Sequence, residues 1–83
     1  MSYEKVAMAK SNLVIGAKQV LKSMKNGEVL EVVLAENAER RITDKVLSLA
    51  DELDIPVTYV ESMKELGKAS GIEVGAATVA IKK

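Results

Sequence analysis

Apolar residues along this chain come in two rhythms that alternate, short unbroken blocks and helical spacings. The block Leu13-Val14-Ile15 predicts a strand. From Gly16 to about Lys25, Ala17, Val20, Leu21 and Met24 return on one helical face. Lys18, Lys22 and Lys25, at about 100° per residue, fall within an arc of about 60° on another face. Asn26-Gly27 then stops the helix, and Leu30–Ala35 reads as a buried strand. Ile42, Val46, Leu49, Ala50 and Leu53 mark a second helix from about Glu39 to Leu53. Asn37 is placed to cap its start and Asp54-Ile55-Pro56 to form its exit. Val57–Val60 is a third strand, and Ser62-Met63-Lys64-Glu65 is a capping box that opens a short helix reaching about Ala69. The last strand covers about Ala76–Ile81, and a short amphipathic helix opens the chain at Tyr3 to about Ala9.

Strands alternating with helices imply crossover connections. The pattern therefore predicts an α/β fold, a three-layer α/β/α sandwich around a mostly parallel sheet. The link from Ala69 to Ala76 departs from the usual polar loop, because Ile72 and Val74 stand between Gly71 and Gly75. Two readings fit it: the apolar pair tucks under the sheet, or it forms a ledge for a flat ligand.

Composition narrows the chemistry. The 83 residues suit one domain, 1–83, whose core is built from Val, Leu, Ile, Ala and Met, because 48% of the chain is hydrophobic while Tyr3 and Tyr59 are its aromatics. With neither cysteine nor histidine, disulfides, thiolate or imidazole metal sites and the commonest acid-base catalyst are absent. No metal, cofactor or catalytic residue is expected. The chain has no run of about 18 apolar residues and no secretory hydrophobic region, so a cytoplasmic protein without membrane contact is expected. Its 12 basic and 12 acidic residues cancel, yet their distribution is uneven. Residues 1–27 carry five lysines and one acid, residues 28–54 three basic and eight acidic residues, and the remainder four lysines and three glutamates. A basic end on a neutral chain favours selective attraction of phosphate over general stickiness.

The junction at Gly16 gathers these features. A helix start leaves backbone N–H groups unpaired at the positive end of the macrodipole, and glycine permits close approach of a phosphate or another backbone. Lysines on an amphipathic helix ordinarily serve only to solvate it; the alternative is that this helix start is a binding site.

Three segments carry a resemblance: Gly16-Ala17-Lys18-Gln19-Val20-Leu21-Lys22, Ala35-Glu36-Asn37-Ala38, and Leu66-Gly67-Lys68-Ala69-Ser70-Gly71-Ile72-Glu73-Val74-Gly75-Ala76-Ala77. Together they resemble the ribosomal protein L7Ae family of kink-turn RNA binders, in length and wording its small bacterial, ribosome-associated branch. The resemblance covers essentially the whole chain. It implies an L30e-like, four-stranded mixed sheet whose last strand lies beside the first and antiparallel to it. The Gly16 junction and the Gly71–Gly75 loop then converge on one edge.

In that family the joint surface grips a kink-turn, an RNA bend built on tandem sheared G·A pairs with one nucleotide thrown outward. The bend opens a major groove otherwise too deep and narrow for side chains. The resemblance implies that Gly16 allows close approach, Ala17 keeps the contact small, and Lys18 and Lys22 donate to guanine or phosphate. Gln19 would both donate and accept at a base edge. Asn37 joins the RNA-contacting set through the second segment. Ile72, Val74, Gly75 and Ala76 would lie against the extruded base, with Glu73 accepting from base or sugar or bracing the loop. Where stricter relatives carry asparagine and glutamate this chain has Lys18 and Gln19, and Ile15 stands where a basic residue is often found. Looser base readout and steeper salt dependence follow. Two other functions remain open: a constitutive structural ribosomal protein, or a small enzyme holding a phosphate or nucleotide at the strand-glycine-helix element. The expected partner is structured RNA, riboswitch or ribosomal, bound by a monomer, with no DNA.

Overall fold

A computed structural model describes residues 12–72 and 75–83. The expected opening helix at Tyr3–Ala9, and Glu73 and Val74 of the apolar link, lie outside these residues. The described residues form β1 (Leu13–Ile15), α1 (Ala17–Lys25), β2 (Val29–Ala35), α2 (Arg40–Glu52), β3 (Val57–Val60), α3 (Met63–Ala69) and β4 (Thr78–Lys82). Each element falls within two residues of the stretch its apolar rhythm predicts. Leu30 is exposed, at an irregularity in the pairing of β2 with β4 between Val29 and Glu31.

The sheet has the order β1-β4-β2-β3, with β4 antiparallel to both its neighbours and β2 parallel to β3. It is mixed, as the family resemblance implied, and the mostly parallel sheet expected from alternation alone is corrected. The reason is length. Thirteen residues of α2 rise about 20 Å, enough to carry the chain back along the sheet and start β3 parallel to β2. Seven residues of α3 rise only about 10 Å, so the chain enters β4 from the edge where β1 and β2 end.

Helices α1 and α2 pack on one face over Val32, Leu34 and Ala80, inserting Val20, Met24, Val46 and Ala50. On the other face α3 sets Leu66 against Val33, Val60 and Val79, joined by Leu13, Ile15 and Met63. The central strands are therefore covered on both sides, which is why Val32–Ala35 form an unbroken buried run. Val32, Val33 and Leu34 each contribute about 1.5–3 kcal/mol over leaving the side chain in water.

All three helices among the described residues end in the same device. Beyond α1, the N–H groups of Gly27 and Glu28 donate to the carbonyls of Met24 and Ser23, and the same pair of bonds closes α2 through Asp54 and Ile55 and α3 through Gly71 and Ile72. The device requires a left-handed residue, met at φ 72° by Gly27 and 85° by Gly71, but at 57° by Asp54. Replacing Asp54 with glycine removes the Cβ crowding of that conformation, and Asp54→Gly is expected to raise stability by about 0.5–1 kcal/mol in urea unfolding. A second gain is expected at Thr78, fully buried with a hydroxyl that has no hydrogen-bond partner. The isosteric Thr78→Val discards that group and should raise the unfolding free energy by about 1 kcal/mol, read as an upward shift of the urea midpoint; a downward shift would show that the hydroxyl has a partner in solution.

Candidate functional site

The edge where β1 and β2 end is tied by a short series of backbone bonds. The Gly16 N–H donates to the Thr78 carbonyl at 3.0 Å, and the Ala35 N–H donates to the Ala77 carbonyl at 3.0 Å. The Ala76 N–H donates to the Met63 carbonyl at 2.9 Å, and the Asn37 Oδ1 accepts the Met63 N–H at 2.8 Å. All three sequence segments that carry the family resemblance thus meet here.

Asn37 was expected to cap α2. It does not: the residue at that position is Glu39, which makes no side-chain cap bond. Asn37 instead reaches 26 residues along the chain to the first amide of α3. Ser62 adds its hydroxyl, accepting from the Glu65 N–H at 3.4 Å, as the capping box predicts. Between them, two side chains serve the start of α3.

The start of α1 is built in the opposite way. Gly16, its N-cap, has φ 101° and ψ 139° and offers no side chain to accept an amide proton. Only glycine adopts such a backbone without strain, and no atom lies within 4 Å of the place a Cβ would take. The first bond inside the helix runs from the Val20 N–H to the Gly16 carbonyl at 2.9 Å. Helix geometry therefore leaves the N–H groups of Ala17, Lys18 and Gln19 without intrahelical partners, and no acid stands in the first turn. Ala17 is half-buried while Lys18, Gln19 and Lys22 are exposed. Among the described residues no carboxylate pairs with Lys18, Lys22 or Lys25. The result is a positive, sterically open helix end bordered by unneutralised lysines.

The apolar link is divided. Ile72 packs, half-buried, against the core below α3, and Ala76 is 4% exposed, so most of both side chains belongs to the interior. Gly75 is exposed and lies so close to α3 that an added Cβ would stand 3.3 Å from the Met63 Cβ. This explains the small residues at positions 75 and 76: they let the chain lie close against the start of α3. Glu73 and Val74 lie outside the described residues.

The structure also brings up residues that the sequence reading did not select. A hollow between the first turns of α1 and α2 is lined by Ala17, Lys18 and Leu21 on one side and Glu39, Arg41, Ile42 and Lys45 on the other. Arg41 and Lys45 are spaced i, i+4, like Lys18 and Lys22, and that periodicity was the available signal. Both lie in the acidic third of the chain, where eight acids outnumber three basic residues. Among the described residues no group of histidine, cysteine, aspartate or glutamate is arranged to hold a metal ion, and no helix is long and apolar enough to cross a membrane.

Comparison with known proteins agrees with the geometry. The chain is 60% identical over 83 residues, all of both chains, to the RNA-binding protein BH0128 of Halalkalibacterium halodurans. It is 54% identical over 81 residues, 98% of each chain, to the RNA-binding protein YbxF of Geobacillus stearothermophilus. A solved Bacillus halodurans protein of unknown function superposes with TM-score 0.87 at 29% identity, covering 94% of this chain and 80% of that one. The Giardia lamblia 15.5kD RNA binding protein superposes with TM-score 0.89 at 23% identity, over 94% of this chain and 68% of that one, and shares the fold. With the sequence profile described as the ribosomal protein L7Ae/L30e/S12e/Gadd45 family matching residues 1–83 from end to end, the chain belongs to that family.

Proposed function

We propose that the protein binds RNA, and that its target is the kink-turn, whose bent form it stabilises through the α1 start and the adjoining loop. One observation carries the reading. The open, positive start of α1 is bonded through Gly16 to Thr78, beside the Gly71–Ala77 segment, in a chain 60% and 54% identical to proteins named for RNA binding. That arrangement suits a bent RNA better than a regular duplex. A helix end enters a major groove only where bending and non-Watson–Crick pairs have widened it.

Each residue has a task in this reading. Gly16 and Ala17 let the RNA reach the amides of the first turn, and Lys18 and Lys22 bind guanine edges or phosphate. Gln19 contacts a base edge. Ile72 and Gly75, with Glu73 and Val74, border the extruded nucleotide, while Ala76 braces the segment from below. Asn37 uses its Oδ1 to anchor α3 and keeps the amide Nδ2 donors for RNA. The protein acts as a cytoplasmic monomer on RNA and needs no cofactor.

The decisive measurement is affinity for a kink-turn RNA and for the same RNA with its G·A pairs changed to Watson–Crick pairs. The change should weaken binding by about 1–3 kcal/mol for each base edge that is no longer read. Equal affinity would leave only nonspecific electrostatic attraction. Lys22→Ala should weaken kink-turn binding by about 1–3 kcal/mol while leaving the melting temperature unchanged, since Lys22 is exposed and unpaired among the described residues.

Lys18 and Gln19 supply the other test. Where lysine and glutamine replace the asparagine–glutamate pair associated with strict guanine readout, binding leans on charge. The double substitution Lys18→Asn with Gln19→Glu should flatten the slope of log affinity against log salt by about 1 and sharpen discrimination between the two RNAs. Identical slopes would refute it.

A further inference from the structure

In sequence, residues 28–54 are the acidic part of the chain, with three basic and eight acidic residues. Folding redistributes that charge. All three basic residues, Arg40, Arg41 and Lys45, fall within the first two turns of α2, and α2 packs beside α1 on the same face of the sheet. Arg41 and Lys45 consequently stand across a groove from Lys18. The acidic segment delivers its positive charge to the basic end of the molecule.

This placement runs against the local stability of α2. Its first turn holds Arg40 and Arg41 and no acid, and its N-cap side chain makes no capping bond. Cations at the positive end of a helix are unfavourable, and local rules broken in this way concentrate at functional surfaces. Among the described residues the only carboxylate lining the groove is Glu39, 3.4 Å from Arg41 in a pair whose side chains are 68% and 86% exposed. An ion pair so open to water is weak, and a phosphate can take the place of the carboxylate. Arg41 and Lys45 lie one helical turn apart on one wall, with Lys18 on the other. Ala17, Leu21 and Ile42 complete the lining with apolar side chains that offer no base-reading pattern.

We propose that this groove is a second RNA contact, which holds the phosphodiester backbone of a stem leading away from the bend. The proposal rests on the RNA-binding reading above and extends it from α1 onto α2. Continuity selects RNA over an acidic peptide as the occupant. Ala17 and Lys18 belong both to the open helix start and to the groove, so an RNA strand seated at the first is led directly into the second.

The test measures the affinity of the full chain for a kink-turn RNA with both stems, across a series of salt concentrations. Arg41→Ala with Lys45→Ala is expected to weaken binding roughly tenfold and to flatten the salt slope by about 1 for each phosphate that is no longer neutralised. The control is Lys82→Ala with Lys83→Ala, which removes the same charge at the far end of β4. It is expected to leave affinity within about twofold. Circular dichroism establishes that both variants are folded. On an RNA cut back to the bend, the difference between wild type and the Arg41 and Lys45 variant should vanish.

A groove variant that behaves like the control overturns the proposal and leaves an acidic protein as the occupant to be sought; a difference that persists on the truncated RNA overturns the assignment to a stem. The kink-turn reading fails separately, if the wild type binds kinked and unkinked RNA equally. In that event the groove still stands if its variant flattens the slope on either RNA, and a wild type that binds neither RNA overturns both.

Discussion

Three residues of β1 pair antiparallel with β4, from Leu13 opposite Ile81 to Ile15 opposite Val79, and the bond from the Gly16 N–H to the Thr78 carbonyl continues the ladder into the turn. Register along such a ladder is strict, because a slip of one residue exchanges the two faces of the strand. Leu13 and Ile15 pack toward α3 and Val14 toward α1 and α2, so a slip would expose or misplace all three. The position of the α1 start follows from this register. Gly16 turns the chain immediately after the last paired residue, and α1 leaves the sheet beside the residues that open β4.

Around that constraint, the helix starts divide their labour. The α3 start is closed by Asn37 and Ser62, and the loop before β4 is tied down on it through Met63 and Ala76. It serves as a foundation. The α1 start is held just as firmly through Gly16, yet its own amides face outward with no side-chain cap. Donors fixed in this way would lose little freedom if they bound a ligand, which is the physical advantage of a helix end as a candidate recognition surface. Placing α2 alongside adds Arg41 and Lys45 to the same positive field, although they come from the most acidic part of the chain.

Much of this was legible in the residues. The strand Val57–Val60 and the short helix Met63–Ala69 lie where the apolar spacing and the capping box put them. Gly27 ends α1 in the left-handed conformation that its position suggested. The candidate site was legible in part: the Gly16 junction and its lysines stand out as a unit, and the family resemblance joins them to the Gly71–Gly75 loop. Asn37 reads as a local cap because an asparagine near a helix start has an ordinary short-range use. Its actual partner lies 26 residues away.

The sequence by itself determined the identity of the elements, the glycine turn at the head of α1 and the lysine-bearing face behind it. These depend on interactions over one to four residues, which spacing and residue type report directly. The tertiary structure alone decided the directions of the strands, the anchoring of α3 by Asn37, and the gathering of Arg41 and Lys45 beside Lys18. Each of these depends on contacts between distant parts of the chain. A short α3 sends β4 back from the same edge, and a shared sheet face lays α2 against α1; neither consequence is written in the periodicity of any single segment.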